Sequence, residues 1–166
     1  VVEAVHYEER GNIALAMLQS RRGVKPAELC DALGVPVVEG AYLSRNGQLK
    51  LIGTGPDAWF LVLEKPAEGW LEAIEACVAG LAAVVDQSAG YAVQRISGPK
   101  ARTLLQAGIP LDLHPSAFET DRAFSTVLAH IGVLLWQEGD GVFDLAYYRS
   151  YSASLEHWLG VTVRTV

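Results

Sequence analysis

The sequence predicts an α+β fold built from two tandem units of one element order, β-α-β-β-α-β with an added hairpin strand. Three observations carry this. Short apolar runs rich in β-branched and aromatic residues, such as Trp59 to Leu63 and Ile131 to Trp136, recur along the chain. Between them lie segments with helical apolar spacing, opened by proline and closed by glycine. The second half of the chain repeats the order of the first, with halves at about 13–85 and 91–163 that share negligible sequence identity. Residues 1–166 read as one domain made of these two ferredoxin-like units, helices packed on one face of antiparallel sheets.

The elements follow in order. Ile13 to Leu18 reads as a buried strand, with a short helix as the alternative. Pro26 opens a helix whose Leu29, Cys30 and Leu33 share a face, and Gly34 ends it. Asn46-Gly47 between Ala41–Arg45 and Gln48–Ile52 signals a hairpin, because both turn positions tolerate positive φ. Trp59 to Leu63 is apolar throughout and reads as a central strand. A helix from about Pro66 to Gly80 places Trp70, Leu71, Ile74, Cys77, Val78 and Leu81 on one stripe. Leu81 to Val85 is the next strand.

In the second half, Tyr91 to Ser97 is a strand and Pro99 to Ala107 a helix, with Pro99 at its first position and Gly108 supplying the stop. Ala123 to Leu128 and Ile131 to Trp136 are strands, and Asp140-Gly141 turns the chain into Val142 to Tyr148. A last helix from about Ala153 to Leu159 stops at Gly160, leaving Val161-Thr162-Val163 as a closing strand.

Composition bounds the function. The chain is 51% hydrophobic and 19% charged, which fits either a large core or a surface partly covered by a partner. A net charge of −6, with one small basic cluster at Arg21, Arg22 and Lys25, argues against nucleic-acid binding. No apolar run approaches the ~20 residues of a membrane helix. Cys30 and Cys77 stand on apolar helix faces, which predicts buried free thiols and a cytoplasmic protein.

Candidate chemistry is sparse. Gly53-Thr54-Gly55-Pro56 lacks the third glycine of a dinucleotide fingerprint and is followed by a strand, so a tight turn is the better reading. His6, His114, His130 and His157 have no partners at ligand spacing, which predicts no metal site. Asp86 and Ser88 read as caps of local backbone rather than as a nucleophile and its carboxylate. No catalytic residue is predicted. Arg149, among Tyr147, Tyr148 and Tyr151, admits three roles: an ion pair with Asp144 or Asp86, an interface contact, or a partner for a folate carboxylate.

Three blocks carry a family resemblance. The first is Asp86 and Ser88, Ser97-Gly98-Pro99, Ala101, Leu104, Leu105, Pro110-Leu111-Asp112-Leu113 and Phe118. The second is Gly55-Pro56-Asp57-Ala58-Trp59 running into Phe60 to Leu63, and the third Phe143-Asp144-Leu145 with Arg149 to Leu155. Together they resemble the gamma subunit family of heterotetrameric sarcosine oxidase, related in fold to the folate-binding N-terminal domain of the aminomethyltransferase, or T-protein, of the glycine cleavage system. About two thirds of the chain is covered and the first forty residues poorly. Ala58 stands where the family has Glu, and Glu119-Thr120-Asp121 where it has Pro-Gly, which suggests a divergent or shortened member.

The resemblance implies a non-catalytic accessory subunit. Its complex would demethylate sarcosine oxidatively to glycine, passing the one-carbon unit to tetrahydrofolate or releasing formaldehyde. It implies no cofactor in this chain, with FAD, FMN, NAD, tetrahydrofolate and zinc held by other subunits, and alpha, beta and delta subunits as partners. Arg149 and Tyr151, with Tyr91, are the residues expected to face the partner or folate, and Trp59 is expected in the core. Two alternatives remain: a stand-alone folate-binding one-carbon protein of the T-protein superfamily, or the interaction subunit of another secondary-amine oxidase. The first would need a C-terminal barrel for which the chain, ending at Val166, leaves no room.

Overall fold

The structure, a computed structural model, describes residues 4–166. Two compact units divide the chain. One is continuous, Gly11–Ala89, and the other joins the N-terminal residues through Arg10 to Gly90–Val166.

The continuous unit runs β2 (Ile13–Ser20), α1 (Pro26–Leu33), β3 (Leu43–Asn46), β4 (Leu49–Gly55), β5 (Ala58–Glu64), α2 (Trp70–Cys77) and β6 (Ala82–Asp86). Its antiparallel sheet has the order β3-β4-β5-β2-β6. Register pairs Ala16 with Leu61 and Leu18 with Trp59, and these side chains meet Leu29 of α1 and Val78 beyond α2 in one buried cluster. Leu15, Ile52, Phe60 and Val62, on the alternate positions, are buried as well. Strands shielded on both faces account for the unbroken apolar runs in the sequence.

The discontinuous unit runs β1 (His6–Glu9), β7 (Tyr91–Ser97), α3 (Ala101–Gln106), β8 (Ala123–Leu128), β9 (Ile131–Gly139), β10 (Val142–Tyr148), a 3-10 turn (Arg149–Tyr151) and α4 (Ser152–Thr162). Its sheet order is β1-β7-β10-β9-β8. Matched element by element, β7 takes the place of β2, the β8–β10 run that of β3–β5, and β1 that of β6. The core gathers Ile96, Leu135, Phe143, Leu145 and Tyr147 from the strands against Leu104, Leu105, Leu155 and Leu159 from the helices.

The closing strand expected at Val161 to Val163 does not form. Those residues continue α4 and its last turn, with Val163 N–H donating to the Leu159 carbonyl at 2.9 Å. The edge position is filled by β1, which pairs Tyr7 with Ile96 and Glu9 with Gln94.

Other differences are local. Gly69 sits at φ 76°, and α2 starts only at Trp70, not at Pro66. Pro99 lies in a turn closed by Ala101 N–H donating to the Gly98 carbonyl at 3.0 Å, so α3 begins two residues later than its proline suggests. Cys30 is half-buried and Cys77 exposed, against the expectation of buried thiols: Cys77 closes the shortened α2, at the edge of its stripe, and Val78 takes the buried place. Among the described residues no helix is long and apolar enough to cross a membrane.

Candidate functional site

The end of β10 builds the most distinctive polar surface. Tyr148 closes the strand directly opposite Tyr91 of β7, and their rings lie 4.6 Å apart at 39°. The 3-10 turn then swings Arg149 back toward the sheet. Its backbone N–H donates to the Gly90 carbonyl at 2.9 Å, Nη1 to Glu9 Oε1 at 2.9 Å, and Nη2 to the Tyr91 carbonyl at 2.8 Å. One guanidinium thus ties the 3-10 turn to β1 and β7. Tyr148 and Tyr151 remain 55% and 46% exposed, so two aromatic rings flank an anchored arginine. Burial, with the hydrogen bond and charge of Tyr148 added, pushes the Tyr91 hydroxyl up to about 12.

Neither ion pair expected for Arg149 forms. Asp144 belongs to β10 itself and points across the sheet to Arg95, its direct register partner on β7. Arg95 grips it through Nε and Nη2, both at 2.7 Å, and Arg10 Nη1 adds a third contact at 3.0 Å. Asp86 accepts the Ser88 N–H at 2.8 Å, and Ser88 Oγ accepts the Leu15 N–H at 3.0 Å. That pair fastens the end of β6 to β2, as the backbone-capping reading of Asp86 and Ser88 required. Trp59 is 2% exposed, with Nε1 donating to the Val38 carbonyl at 2.9 Å, and it is core as expected.

A cleft of about 760 Å³ lies beside α3, walled by Gly98, Arg102, Thr103, Asp112, His114 and Asp140. Gln106 braces its outer loop. Its Nε2 donates to the Leu111 carbonyl at 2.6 Å while its Oε1 accepts the Leu113 N–H at 3.0 Å. Arg102 lies 4.9 Å over the Phe143 ring and donates to the Leu113 carbonyl. The Pro110-Leu111-Asp112-Leu113 block is therefore a loop held by α3 side chains.

Gly53 and Gly55 lie within β4, whose register shifts between them. A Cβ at Gly53 would fall 1.8 Å from the Gly40 carbonyl oxygen, so that glycine serves a close backbone approach rather than a phosphate. The histidines are dispersed: His6 on β1, His114 in the cleft loop, His130 in the β8–β9 turn at φ 71°, and His157 exposed on α4. Among the described residues no group of His, Cys, Asp or Glu could hold a metal ion.

The family model of the sarcosine oxidase gamma subunit matches residues 23–163. The chain is 33% identical over 135 residues to sarcosine oxidase subunit gamma of Corynebacterium sp. (strain P-1), and 34% over 136 residues to that of an Arthrobacter species. Each match covers 80% of this chain but 66% of the relative, so the chain spans just under two thirds of their length. In fold it is similar to a chain of the heterotetrameric sarcosine oxidase from Corynebacterium sp. U-96 in complex with pyrrole 2-carboxylate. There the TM-score is 0.87 at 27% identity, covering 99% of this chain and 87% of that one. The glycine cleavage system aminomethyltransferase T of Bartonella henselae shares the fold, with a TM-score of 0.70 at 16% identity over 96% of this chain and 46% of its own.

Proposed function

The chain belongs to the sarcosine oxidase gamma subunit family, and on that premise we propose that it is a non-catalytic accessory subunit of a heterotetrameric sarcosine oxidase. The complex would demethylate sarcosine oxidatively to glycine in the cytoplasm, with the one-carbon unit passed to tetrahydrofolate or released as formaldehyde. The observation that carries the reading is the agreement of fold, over nearly the whole chain, with a chain of such an oxidase. The chemistry of the residues is in keeping with it, since the Gly53-Thr54-Gly55 segment is strand backbone with Gly53 pressed against Gly40, a poor cradle for a pyrophosphate. FAD, FMN, NAD, tetrahydrofolate and zinc would be held by the alpha, beta and delta subunits.

Within this reading, Arg149 and Tyr151, with Tyr91, contribute to the contact with the large subunit. Arg and Tyr are enriched in interface cores, and Arg149 is already held in place by Glu9 and the Tyr91 carbonyl, so little side-chain freedom remains to be lost.

The test is co-purification. A tagged chain expressed in its own host should bring down flavin-bearing subunits that mass spectrometry identifies as those of a sarcosine oxidase. The chain alone should be colourless and inert toward sarcosine. Sarcosine turnover by the isolated chain would overturn the accessory role.

A further inference from the structure

A second, smaller crevice of about 280 Å³ opens between the sheet of the discontinuous unit and the first turn of α4. It belongs to none of the contacts assigned above, except that Glu9 stands at its rim. Tyr7 and Glu9 of β1, Gln94 of β7, Tyr147 of β10, and Ser152 and Glu156 of α4 wall it. Register explains the convergence. Gln94 pairs with Glu9 on one side and with Leu145 on the other, so its side chain lies on the helix-covered face between two core positions, Ala92 and Ile96. Ser152 and Glu156 are four residues apart and present one face of α4 to it.

Gln94 is the anomaly. It is 7% exposed, and among the described residues its amide makes no hydrogen bond. The amide is not sealed off, since among the described residues the fully buried side-chain polar atom without a partner is Ser20 Oγ; the crevice is where the Gln94 amide meets solvent or a ligand. The other polar walls can accept: Ser152 Oγ, which also shares a 3.4 Å hydrogen bond with the Tyr147 hydroxyl, the Glu156 carboxylate, which forms no ion pair among the described residues, and the remaining oxygen of Glu9. The Ser152 N–H is already taken by the Arg149 carbonyl, so the leading donor of α4 does not face the crevice. Two carboxylates, Glu9 and Glu156, stand around it, the first paired with Arg149. At the Tyr147 hydroxyl, Glu9 and Glu156 raise the pKa and only Arg149 lowers it, beside the larger effects of burial and of the Ser152 hydrogen bond.

We propose that this crevice binds an alkylammonium group, either a lysine side chain or a small free amine. Its three N–H donors match three acceptors, Gln94 Oε1, Ser152 Oγ and the Glu156 carboxylate. Its alkyl stem lies along the rings of Tyr7 and Tyr147, as the stem of a lysine does along apolar surface. The volume is at or below the lower bound for drug-sized ligands, which fits a group of a few heavy atoms. The inference does not rest on the oxidase assignment, and the full chain alone tests it.

The experiment is a titration of the isotope-labelled full chain, followed by its amide resonances. Butylammonium chloride should shift the Gln94 side-chain amide and the Ser152 N–H saturably, and neutral n-butanol should not. Glu156→Gln, an exposed change that spares the fold, should weaken binding about tenfold or more, the worth of a charge-assisted hydrogen bond. Nα-acetyl-lysine N-methylamide is the second probe. If it binds at least as tightly as butylammonium the natural occupant is a protein lysine, and if only butylammonium binds it is a free amine. No saturable shift, equal shifts from n-butanol, or an unchanged Glu156→Gln would overturn the proposal.

Discussion

Asp144 and Arg95 face each other across β10 and β7 in a two-pronged pair, both contacts 2.7 Å, with the carboxylate 1% exposed. Arg10 closes the third side at 3.0 Å. Removing the carboxylate would take away the buried anion on which two partly exposed guanidinium groups converge. Asp144→Ala is therefore expected to lower the unfolding free energy by about 3–5 kcal/mol. Urea denaturation of the chain measures it, and a loss below about 1 kcal/mol would show that the cluster is solvated and dispensable.

Gly53 and Gly55 separate two explanations of one glycine-rich segment. The Cβ of Gly53→Ala would meet the Gly40 carbonyl oxygen at 1.8 Å, while nothing lies within 4 Å of a Cβ at Gly55. Gly53→Ala is expected to destabilise by more than about 2 kcal/mol and Gly55→Ala to fall within about 1 kcal/mol of the parent. Thermal melts of the two variants decide it. Equal losses would mean that backbone approach is not what selects glycine here.

The Tyr91 hydroxyl gives a pH signature. Its ionisation is raised from the ordinary 10 to about 12 in the folded chain. Below pH 10 the group is neutral in both folded and unfolded states and its contribution is fully present. Between pH 10 and about 12 the unfolded chain ionises first, so stability falls as pH rises through that window. Tyr91→Phe should flatten this part of the stability–pH curve, and in a phenolate absorbance titration it should remove the last tyrosine to ionise. An unchanged curve would place the raised ionisation elsewhere, with Tyr147 the next to test.

Arg149→Ala should divide stability from association. The Arg149–Glu9 pair is about half exposed on both sides, and such pairs contribute roughly 0–1 kcal/mol. The melting temperature of the isolated chain should therefore move little, while co-purification with the large subunit weakens. A large fall in melting temperature with association intact would make Arg149 a purely internal brace and shift the proposed contact elsewhere.

What could be read in advance followed local chemistry. Tyr91 to Ser97 was legible to the residue, whereas the hairpin signalled by Asn46-Gly47 forms one residue later: Asn46 ends β3 opposite Leu49, and Gly47, at φ 58°, and Gln48 make the turn. Apart from the local shifts in helix starts and hairpin turn, the failures are cases in which a distant segment decides. His6 to Glu9 has neither apolar alternation nor a turn signal, yet it is a strand because β7 offers it an edge. Val161 to Val163 has the β-branched look of a strand, but with that edge occupied the chain stays helical. Arg149 finds Glu9 at a separation of 140 residues, a pairing that no spacing rule encodes. Gln94 sat unremarked in an apolar strand, and only its register with Glu9 and Leu145 marks it as a polar group on a core face.

The placement of β1 also sets an order in time. It is made before β2 to β6, yet its partner β7 follows the entire Gly11–Ala89 unit. A growing chain can close that continuous unit from residues already synthesised, while β1 has no edge to join until Tyr91 to Ser97 has emerged. Until it docks, β7 shows an open row of backbone donors and acceptors, the surface on which strands from other chains add. The yield of correctly assembled protein should thus depend on how quickly a four-residue strand, made ahead of the Gly11–Ala89 unit, returns to the sheet built after it.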